Sequence, residues 1–394
     1  MNRPSITIAA VSTALLATFG FQASASASLP AVPNPTPSTH SAPARLAPYG
    51  ETFSLHSRPG SKRVLYLDFG GGLLEHPKTA MDLPRGGYYY KPYDTDGNPN
   101  WVNKREATVI QRAWGLVAQD FAPFDVDVTT EMPPYDYFYS PDVEDPEYVA
   151  YRAIVTNSVG GPAHTRGAGY AIMGSFGSGT DDPAFVFHKK LKPGWVAIGN
   201  AITHEVGHGL ALDHDGIGGS EYFWGNRTWA PVMGYPGRHW LAQFSNGSYR
   251  GGNEHEDDIS VIAKTLPLLP DDQPDTTATA TLESGVAMRG MIGKPFDVDA
   301  YQLSVPITMK VAFAAAPDSG VSPTNLDVRI VVHNASGNKV FDSAYPGSRN
   351  AGGETVFAAG DYTVEVMGSG DRGFNAYGSL GAYKLTATLT APGR

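Results

Sequence analysis

The order of apolar and polar positions predicts several strands and three helices before residue 270. Residues Asn103 to Phe121 repeat apolar positions at helical spacing, which predicts an amphipathic helix. A second helix is expected to begin near Gly199 or Asn200, and a third covers residues 254–266. Short β-branched and aromatic runs predict strands at residues 63–69, 124–130, 152–159, 169–176 and 184–189. This order is typical of a mixed α/β layer structure, a twisted mixed sheet with helices.

The helical pattern ends after residue 266. Residues 266–283 are rich in Pro, Asp and Thr and predict a linker. Beyond them, short alternating segments separated by Gly, Asn, Asp and Ser predict an antiparallel β-sandwich of about 110 residues. The predicted organisation is an α/β domain over residues 60–270, a linker over 271–280 and a β-sandwich domain over 281–394.

The first residues predict export. Arg3 supplies a positive charge, residues 6–21 are mostly apolar, and small residues at 23–28 are typical of a cleavage site. The rival interpretation, a membrane anchor, needs an apolar run of about 18–20 residues, longer than this one. We therefore expect a signal peptide over residues 1–27, a secreted, extracellular protein and no membrane span. Residues 28–59 are rich in Pro, Ser and Ala and predict a flexible leader that could serve as a short propeptide.

The amino-acid composition argues against several classes of function. The formal net charge of −10 and the lack of clustered Lys and Arg argue against a nucleic-acid partner. The absence of cysteine excludes disulfides, thiolate catalysis and cysteine-ligated metal. We expect a monomer.

The stretch HEVGHGLALDHD, residues 204–215, carries the strongest candidate chemistry. His204 and His208 are four residues apart, so on a helix both imidazoles lie on one face and can bind one metal ion. Zinc fits best, because it accepts nitrogen ligands and leaves a position open for water in catalytic sites. Glu205 lies about 100° round the helix, where it can take a proton from that water.

His214 can be the third ligand only if the helix that carries His204 and His208 ends soon after His208. On a continuous helix His214 would lie about 15 Å further along the axis than His204. A turn after His208 is therefore predicted, either at Gly209 or at a left-handed Ala211 that costs about 1–2 kcal/mol. The alternative third ligand is a helical glutamate, and the candidates for that role are Glu254 and Glu256.

These residues resemble the signature of the metzincin metalloendopeptidases, H-E-x-x-H-x-x-G-x-x-H followed by a methionine-containing turn. His204, Glu205, His208 and His214 match it, and Ala211 departs at the glycine. The segment APVMGY, residues 230–235, is similar to the methionine turn and carries Met233. The resemblance covers roughly residues 60–265. The segments DVDAYQLSV and AAGDYTVEV resemble the pre-peptidase C-terminal β-sandwich of secreted bacterial proteases.

The resemblance implies a secreted zinc endopeptidase that acts on protein or peptide substrates. Glu205 would be the general base, and Tyr235, two residues after Met233, would donate to the oxyanion. Substrate would lie along an edge strand formed by Gly169, Tyr170, Ala171, Ile172 and Met173. The alternative from another class is a secreted adhesion or binding protein with a structural zinc site.

Other candidates carry less weight. His164 and His188 stand alone in the sequence and are more typical of ordinary surface or strand histidines. Asp181 and Asp182 could contribute to a calcium site, although their sequence context favours a turn.

Overall fold

The N-terminal half is built on a mixed β-sheet. The computed structural model describes residues 46–74, 87–139, 148–158, 167–276, 278–318, 324–343, 349–371 and 373–391. The strands of this half are β1 (Arg63–Asp68), β2 (Gly72–Leu74), β3 (Tyr88–Tyr90), β4 (Asp127–Thr129), β5 (Val149–Thr156), β6 (Gly169–Tyr170), β7 (Ala184–Phe187), β8 (Ala230–Pro231) and β9 (Ala242–Gln243). Five of them form a sheet in the order β4-β1-β5-β7-β6, parallel except for β6, which pairs antiparallel at the edge.

Three α-helices occur in the described part of the chain: α1 (Lys104–Asp120), α2 (Trp195–Gly209) and α3 (Asp258–Ile262). The described residues contain no helix that is long and apolar enough to cross a membrane. A capping box begins α1, in which the Asn103 side chain accepts from the backbone of Glu106 and the Glu106 carboxylate accepts in return. Helices α1 and α2 contact each other and bury their apolar faces in the same core as the sheet.

Strand alternation places each face of the sheet against a different layer. Leu65, Tyr151 and Val186 belong to the core shared with α1 and α2. The opposite face carries Val64 and Tyr66, which pack with the short 3₁₀ segment Tyr135–Tyr139. Parallel strands covered on both faces give buried, almost continuous apolar runs, as β5 and β7 have.

Several predicted boundaries differ from the observed ones. Helix α2 begins at Trp195, earlier than expected, directly after Gly194 with its φ of 131°. The helix predicted over residues 254–266 is reduced to α3, because the Asp257 side chain accepts from Ser260 N and caps the helix there. The edge strand predicted over residues 169–176 pairs only at Gly169 and Tyr170.

Part of the leader predicted to be flexible packs on the sheet. Ser57 N donates to Val128 O and Thr130 N donates to Leu55 O, so residues 55–57 cover the free edge of β4. Leu55 is buried in the main core. Residues 1–45, which include the predicted signal peptide and most of that leader, lie outside the described residues.

The C-terminal half is a two-sheet β structure. Its strands are β10 (Ala280–Thr281), β11 (Ala287–Ile292), β12 (Val298–Val305), β13 (Met309–Pro317), β14 (Val328–Asn334), β15 (Lys339–Ser343), β16 (Ala351–Phe357), β17 (Gly360–Gly368) and β18 (Gly381–Thr390). One sheet has the order β10-β12-β17-β14-β15 and the other β11-β18-β13-β16. All pairs are antiparallel except β10 with β12, which is parallel and departs from the expected pattern. The described chain is thus mostly β, with several sheets and few helices.

The two halves share buried contacts. Asn325 Nδ2 donates to Asp120 Oδ1 at 2.8 Å, and Gln243 Nε2 donates to the Asn325 carbonyl. Trp229 and Phe374 stack with ring centroids 5.1 Å apart. The described residues all fall within one compact unit, Thr39–Arg394. The predicted domain boundaries therefore run through a continuous core, and they stay a prediction.

Candidate metal centre

Helix α2 carries the first part of the candidate site. Its buried face includes Ile202, Thr203 and Val206, and this burial fixes the rotation of the helix about its axis. The same rotation brings His204 and His208 to the edge of a large cleft, with ring centroids 4.8 Å apart.

The turn that ends α2 is a Schellman motif. Leu212 N donates to Gly207 O and Ala211 N donates to His208 O. Ala211 occupies the left-handed position with φ 75°. Of the two predicted turn residues the structure uses Ala211. Gly209 stays helical, and a Cβ there would come 2.5 Å from the Tyr151 ring. The departure from glycine therefore strains the backbone without preventing the turn.

The turn brings His214 back to the helix. The candidate ligand atoms of His204, His208 and His214 lie within 4.8 Å of one another, and His208 Nε2 is 2.9 Å from His214 Nε2. The turn after α2 therefore brings together three imidazoles whose first and last residues are ten positions apart in sequence.

The outer hydrogen bonds determine which nitrogen of each imidazole carries the proton. Each Nδ1 faces an acceptor at 2.8 Å: the Val232 carbonyl for His204, the Leu212 carbonyl for His208 and the Glu221 carboxylate for His214. An acceptor requires the proton on Nδ1, so each neutral ring turns the lone pair of Nε2 inward. His208 Nε2 and His214 Nε2 lie 2.9 Å apart, so a proton or a metal ion can lie between them.

The histidine set therefore fits a metal ion. Ligating histidines ordinarily donate their second ring N–H to a carbonyl or carboxylate, as all three do here. Burial, together with the neighbouring His208, lowers the pKa of His204 to about 3 and keeps that ring neutral. Three nitrogen ligands with a fourth position facing a cleft match the donor set of a catalytic zinc.

Glu205 lines the same cleft as the three histidines, and its carboxylate lies against the edge strand. Its side chain is 8% exposed, and burial raises its pKa to about 8. The Glu205 carboxylate lies where a Cβ on Gly169 would be, so any larger residue at that position of β6 would require the Glu205 side chain to move. The edge strand and the candidate general base are thus in direct contact.

Met233 lies underneath the histidines. Its side chain is fully buried, and a Cβ on Gly207 would overlap its sulfur. The neighbouring Val232 carbonyl accepts from His204, and the Met233 carbonyl accepts from Asp215 N at 2.9 Å. The turn around Met233 therefore supports the positions of both the first and the third histidine.

Two tyrosines line the same cleft, and one of them was not singled out in the sequence. Tyr222 has its ring centroid 4.3 Å from that of His214, and burial raises its pKa, with the Glu221 and Glu205 charges adding to the rise. Tyr235 is 45% exposed and packs on Trp224 with centroids 4.0 Å apart. No spacing rule indicates Tyr222, because the loop between the histidine turn and Met233 brings it there. The assignment of Tyr235 as the oxyanion donor stays a prediction.

The cleft has a volume of about 1190 Å³ and is walled by both halves of the chain. Gly169, Tyr170 and Ala171 of the predicted edge-strand segment line it, while Ile172 and Met173 are not among its lining residues. The C-terminal half contributes a wall that the sequence did not reveal: Asp327, Arg349, Asp371 and Phe374.

The remaining candidates lie apart from the histidines. Asp181 accepts from Arg152 Nη2 at 2.7 Å in a buried ion pair, which occupies the carboxylate considered for calcium. His188 packs against Tyr93 with centroids 4.7 Å apart, and burial lowers its pKa to about 4. His164 lies outside the described residues.

The two glutamates considered as alternatives to His214 for the third metal ligand lie in a different group of side chains. Glu254 and Glu256 cluster with Asp258 and not with the histidines. This grouping favours His214 as the partner of His204 and His208.

No family model matches the sequence, and no curated protein matches it. Among solved structures, the pre-peptidase C-terminal domain of a collagenase from Bacillus anthracis is 13% identical, with a TM-score of 0.22, and the match covers 30% of this chain and 98% of that one. A periplasmic lysozyme inhibitor of g-type lysozyme from Aeromonas hydrophila is 11% identical, with a TM-score of 0.21 over 29% and 96% of the two chains. At TM-scores this low, the likenesses identify no family for the chain.

Proposed function

We propose that the chain is a zinc-dependent endopeptidase of the metzincin type. The observation that carries the proposal is the convergence of ring nitrogens from three histidines, within 4.8 Å of one another, beside a buried glutamate at the wall of a cleft about 1190 Å³ in volume. Bound zinc would supply an acidified water and a Lewis acid for a carbonyl oxygen.

The chain's own residues would transfer the proton, bind the substrate and stabilise the oxyanion. Glu205 would accept the proton of the attacking water at its carboxylate and return it to the leaving amine. The exposed edge of β6 would bind an extended peptide by strand addition next to Glu205. Tyr235 and Tyr222, which both line the cleft, are the phenols available to donate a hydrogen bond to the oxyanion.

The alternative, a binding protein with a structural zinc site, fits the cleft less well. A structural zinc is enclosed by four protein ligands, whereas here three histidines line an open cleft. A glutamate directly beside such a site would also have no role there.

Two substitutions test the proposal together. Glu205→Gln keeps the side-chain size and removes the general base, so turnover of a protein substrate such as casein should fall by about 10³-fold or more with zinc content unchanged. His214→Ala should lower zinc content, measured by atomic absorption, as well as activity.

Measuring both turnover and zinc content distinguishes the endopeptidase from the binding protein. Full turnover by Glu205→Gln would reject the hydrolytic role of this residue. Full zinc content in His214→Ala would reject the ligand set. A wild-type protein that binds zinc but cleaves no peptide in a random library would support the binding-protein alternative.

A further inference from the structure

The wall that the C-terminal half contributes to the cleft contains a buried acidic side chain. Asp327 lines the cleft and is 6% exposed. Its backbone is anchored, because Asp327 N donates to Ser379 Oγ at 2.8 Å and the Asp327 carbonyl accepts from Ser369 N. Within the described part of the chain, no group donates a hydrogen bond to the Asp327 carboxylate. A buried carboxylate that lacks a donor is unfavourable, and here the open side is the cleft.

Two charged neighbours of Asp327 line the same wall. Burial raises the pKa of Asp327 to about 7, the charge of Asp371 adds to the rise, and Arg349 opposes it. When both acids are ionised, two carboxylates face one guanidinium and the group is left with a net negative charge. A further positive charge would therefore stabilise the ionised form of Asp327.

Arg349 does not supply the missing donor. Its guanidinium donates to the Thr324 carbonyl at 3.4 Å and lies 6.0 Å from the centre of the Trp240 ring. Burial lowers the pKa of Arg349, and the charge of Asp327 acts against that shift without a direct ion pair among the described residues. The guanidinium thus acts on Asp327 from a distance, and the oxygens of Asp327 stay available to a ligand in the cleft.

We propose that Asp327, together with Asp371, binds a lysine or arginine side chain of the substrate. The assignment rests on the proposed endopeptidase function and makes Asp327 a specificity-determining residue. An ammonium or guanidinium group brings both hydrogen-bond donors and positive charge to the carboxylate. The apolar stem of such a side chain can pack on Phe374, which lines the same wall.

Aromatic packing relates this wall to the histidines. Trp240, which lies beside the Arg349 guanidinium, packs against Trp195 with ring centroids 6.0 Å apart. Trp195 begins α2, and the rise along the helix from Trp195 to His204 is about 13 Å. An extended peptide covers that distance with about four residues. We therefore expect the basic residue within about four positions of the scissile bond.

The test measures cleavage by the full-length, zinc-loaded protein. Short quenched fluorescent peptides carry lysine, glutamine or glutamate at one fixed position and random residues elsewhere, and each position is fixed in turn. At one position, wild type should show a kcat/KM for lysine about 10-fold or more above that for glutamine. Asp327→Asn keeps the side-chain size and removes the charge, so this ratio should fall to about 2-fold or less. The matched control is Asp361→Asn, an exposed acid of β17 that is not among the lining residues, and it should keep the wild-type ratio.

A binding measurement separates this proposal from the peptidase function. The same peptide sets, labelled with fluorescein, are titrated with the zinc-loaded Glu205→Gln variant, and Kd is measured by fluorescence anisotropy. Tighter binding of a lysine set, without cleavage by wild type, would support the basic-residue site and reject the endopeptidase. Cleavage by wild type without a lysine preference at any position would support the endopeptidase and reject the basic-residue site.

Two further results would overturn the proposal. One is an unchanged lysine preference in Asp327→Asn. The other is a preference for glutamate over glutamine that disappears in Arg349→Gln, which would assign this wall to acidic side chains. If Asp327→Asn fails to fold, Asp371→Asn, at a half-buried position, should still lower the lysine ratio by at least about 2-fold. An unchanged ratio in Asp371→Asn then contradicts the assignment.

Discussion

At the scale of single residues, Ala211 shows how the site tolerates local strain. Its φ of 75° is the left-handed conformation, which costs an L-residue about 1–2 kcal/mol relative to glycine. Ala211→Gly removes that cost but adds about 0.5–1 kcal/mol of chain entropy in the unfolded state. The free energy of unfolding should therefore rise by about 0.5–1 kcal/mol, as measured by denaturant titration.

A matched alanine-to-glycine change inside helix α2 is expected to change the free energy of unfolding in the opposite direction. Ala201 lies within α2 in regular helical conformation, so Ala201→Gly should lower the free energy of unfolding by about 0.5–1 kcal/mol. If both substitutions destabilise the protein equally, the conformation of Ala211 is not the strained one described here.

At the scale of secondary-structure elements, Asp120 connects helix α1, helix α2 and the C-terminal half. It is the last residue of α1, and its carboxylate accepts from Thr203 of α2 and from Asn325 of the C-terminal half. Burial raises the pKa of Asp120 to about 8, although both hydrogen bonds act to lower it. A negative charge is also unfavourable at a helix C-terminus, so the neutral acid is the form that suits this junction.

The sign of the resulting pH dependence follows from proton binding. Between about pH 4, where the unfolded Asp120 ionises, and about pH 8, the folded state holds one more proton, so stability falls as pH rises. Asp120→Asn cannot ionise; its amide oxygen can still accept from Asn325, and its amide nitrogen can donate to the Thr203 hydroxyl, which also accepts. It should therefore stabilise the protein by about 1–3 kcal/mol more at pH 7 than at pH 5, in denaturant unfolding at both values. An equal difference at the two pH values would show that Asp120 is already charged.

At the scale of the whole molecule, the C-terminal half closes the core of the N-terminal half. The Tyr377 hydroxyl accepts from Ile259 N at 2.8 Å, and Phe374 covers Trp229. A chain that ends at Asp271 would expose these apolar surfaces and leave Asp120 without its Asn325 partner. We expect the shortened chain to have a Tm at least about 10 °C below that of the full chain.

This experiment also tests the predicted domain boundaries. A shortened chain with the Tm and peptide turnover of the full chain would establish residues 281–394 as a separable domain. Loss of folding would make the C-terminal half part of the same folding unit as the N-terminal half, in agreement with its residues in the wall of the cleft.

The sequence by itself determined the features that depend on short spacing. The interval between His204 and His208 is one helical turn, and the position of His214 requires the chain to reverse within a few residues. Helix α1 was predicted to within one residue at each end from its apolar period, which is a local feature of the sequence. The short-range pattern also indicated the two-part organisation, from helical to alternating segments.

Only the tertiary structure decided which distant residues meet. Tyr222 and Arg349 line the cleft, although no period or spacing connects them. It also placed Glu205 against Gly169 and shortened both the edge strand and the third helix. These outcomes depend on packing between segments that are far apart in sequence, where local propensity is a weak guide and burial against a neighbour decides the conformation.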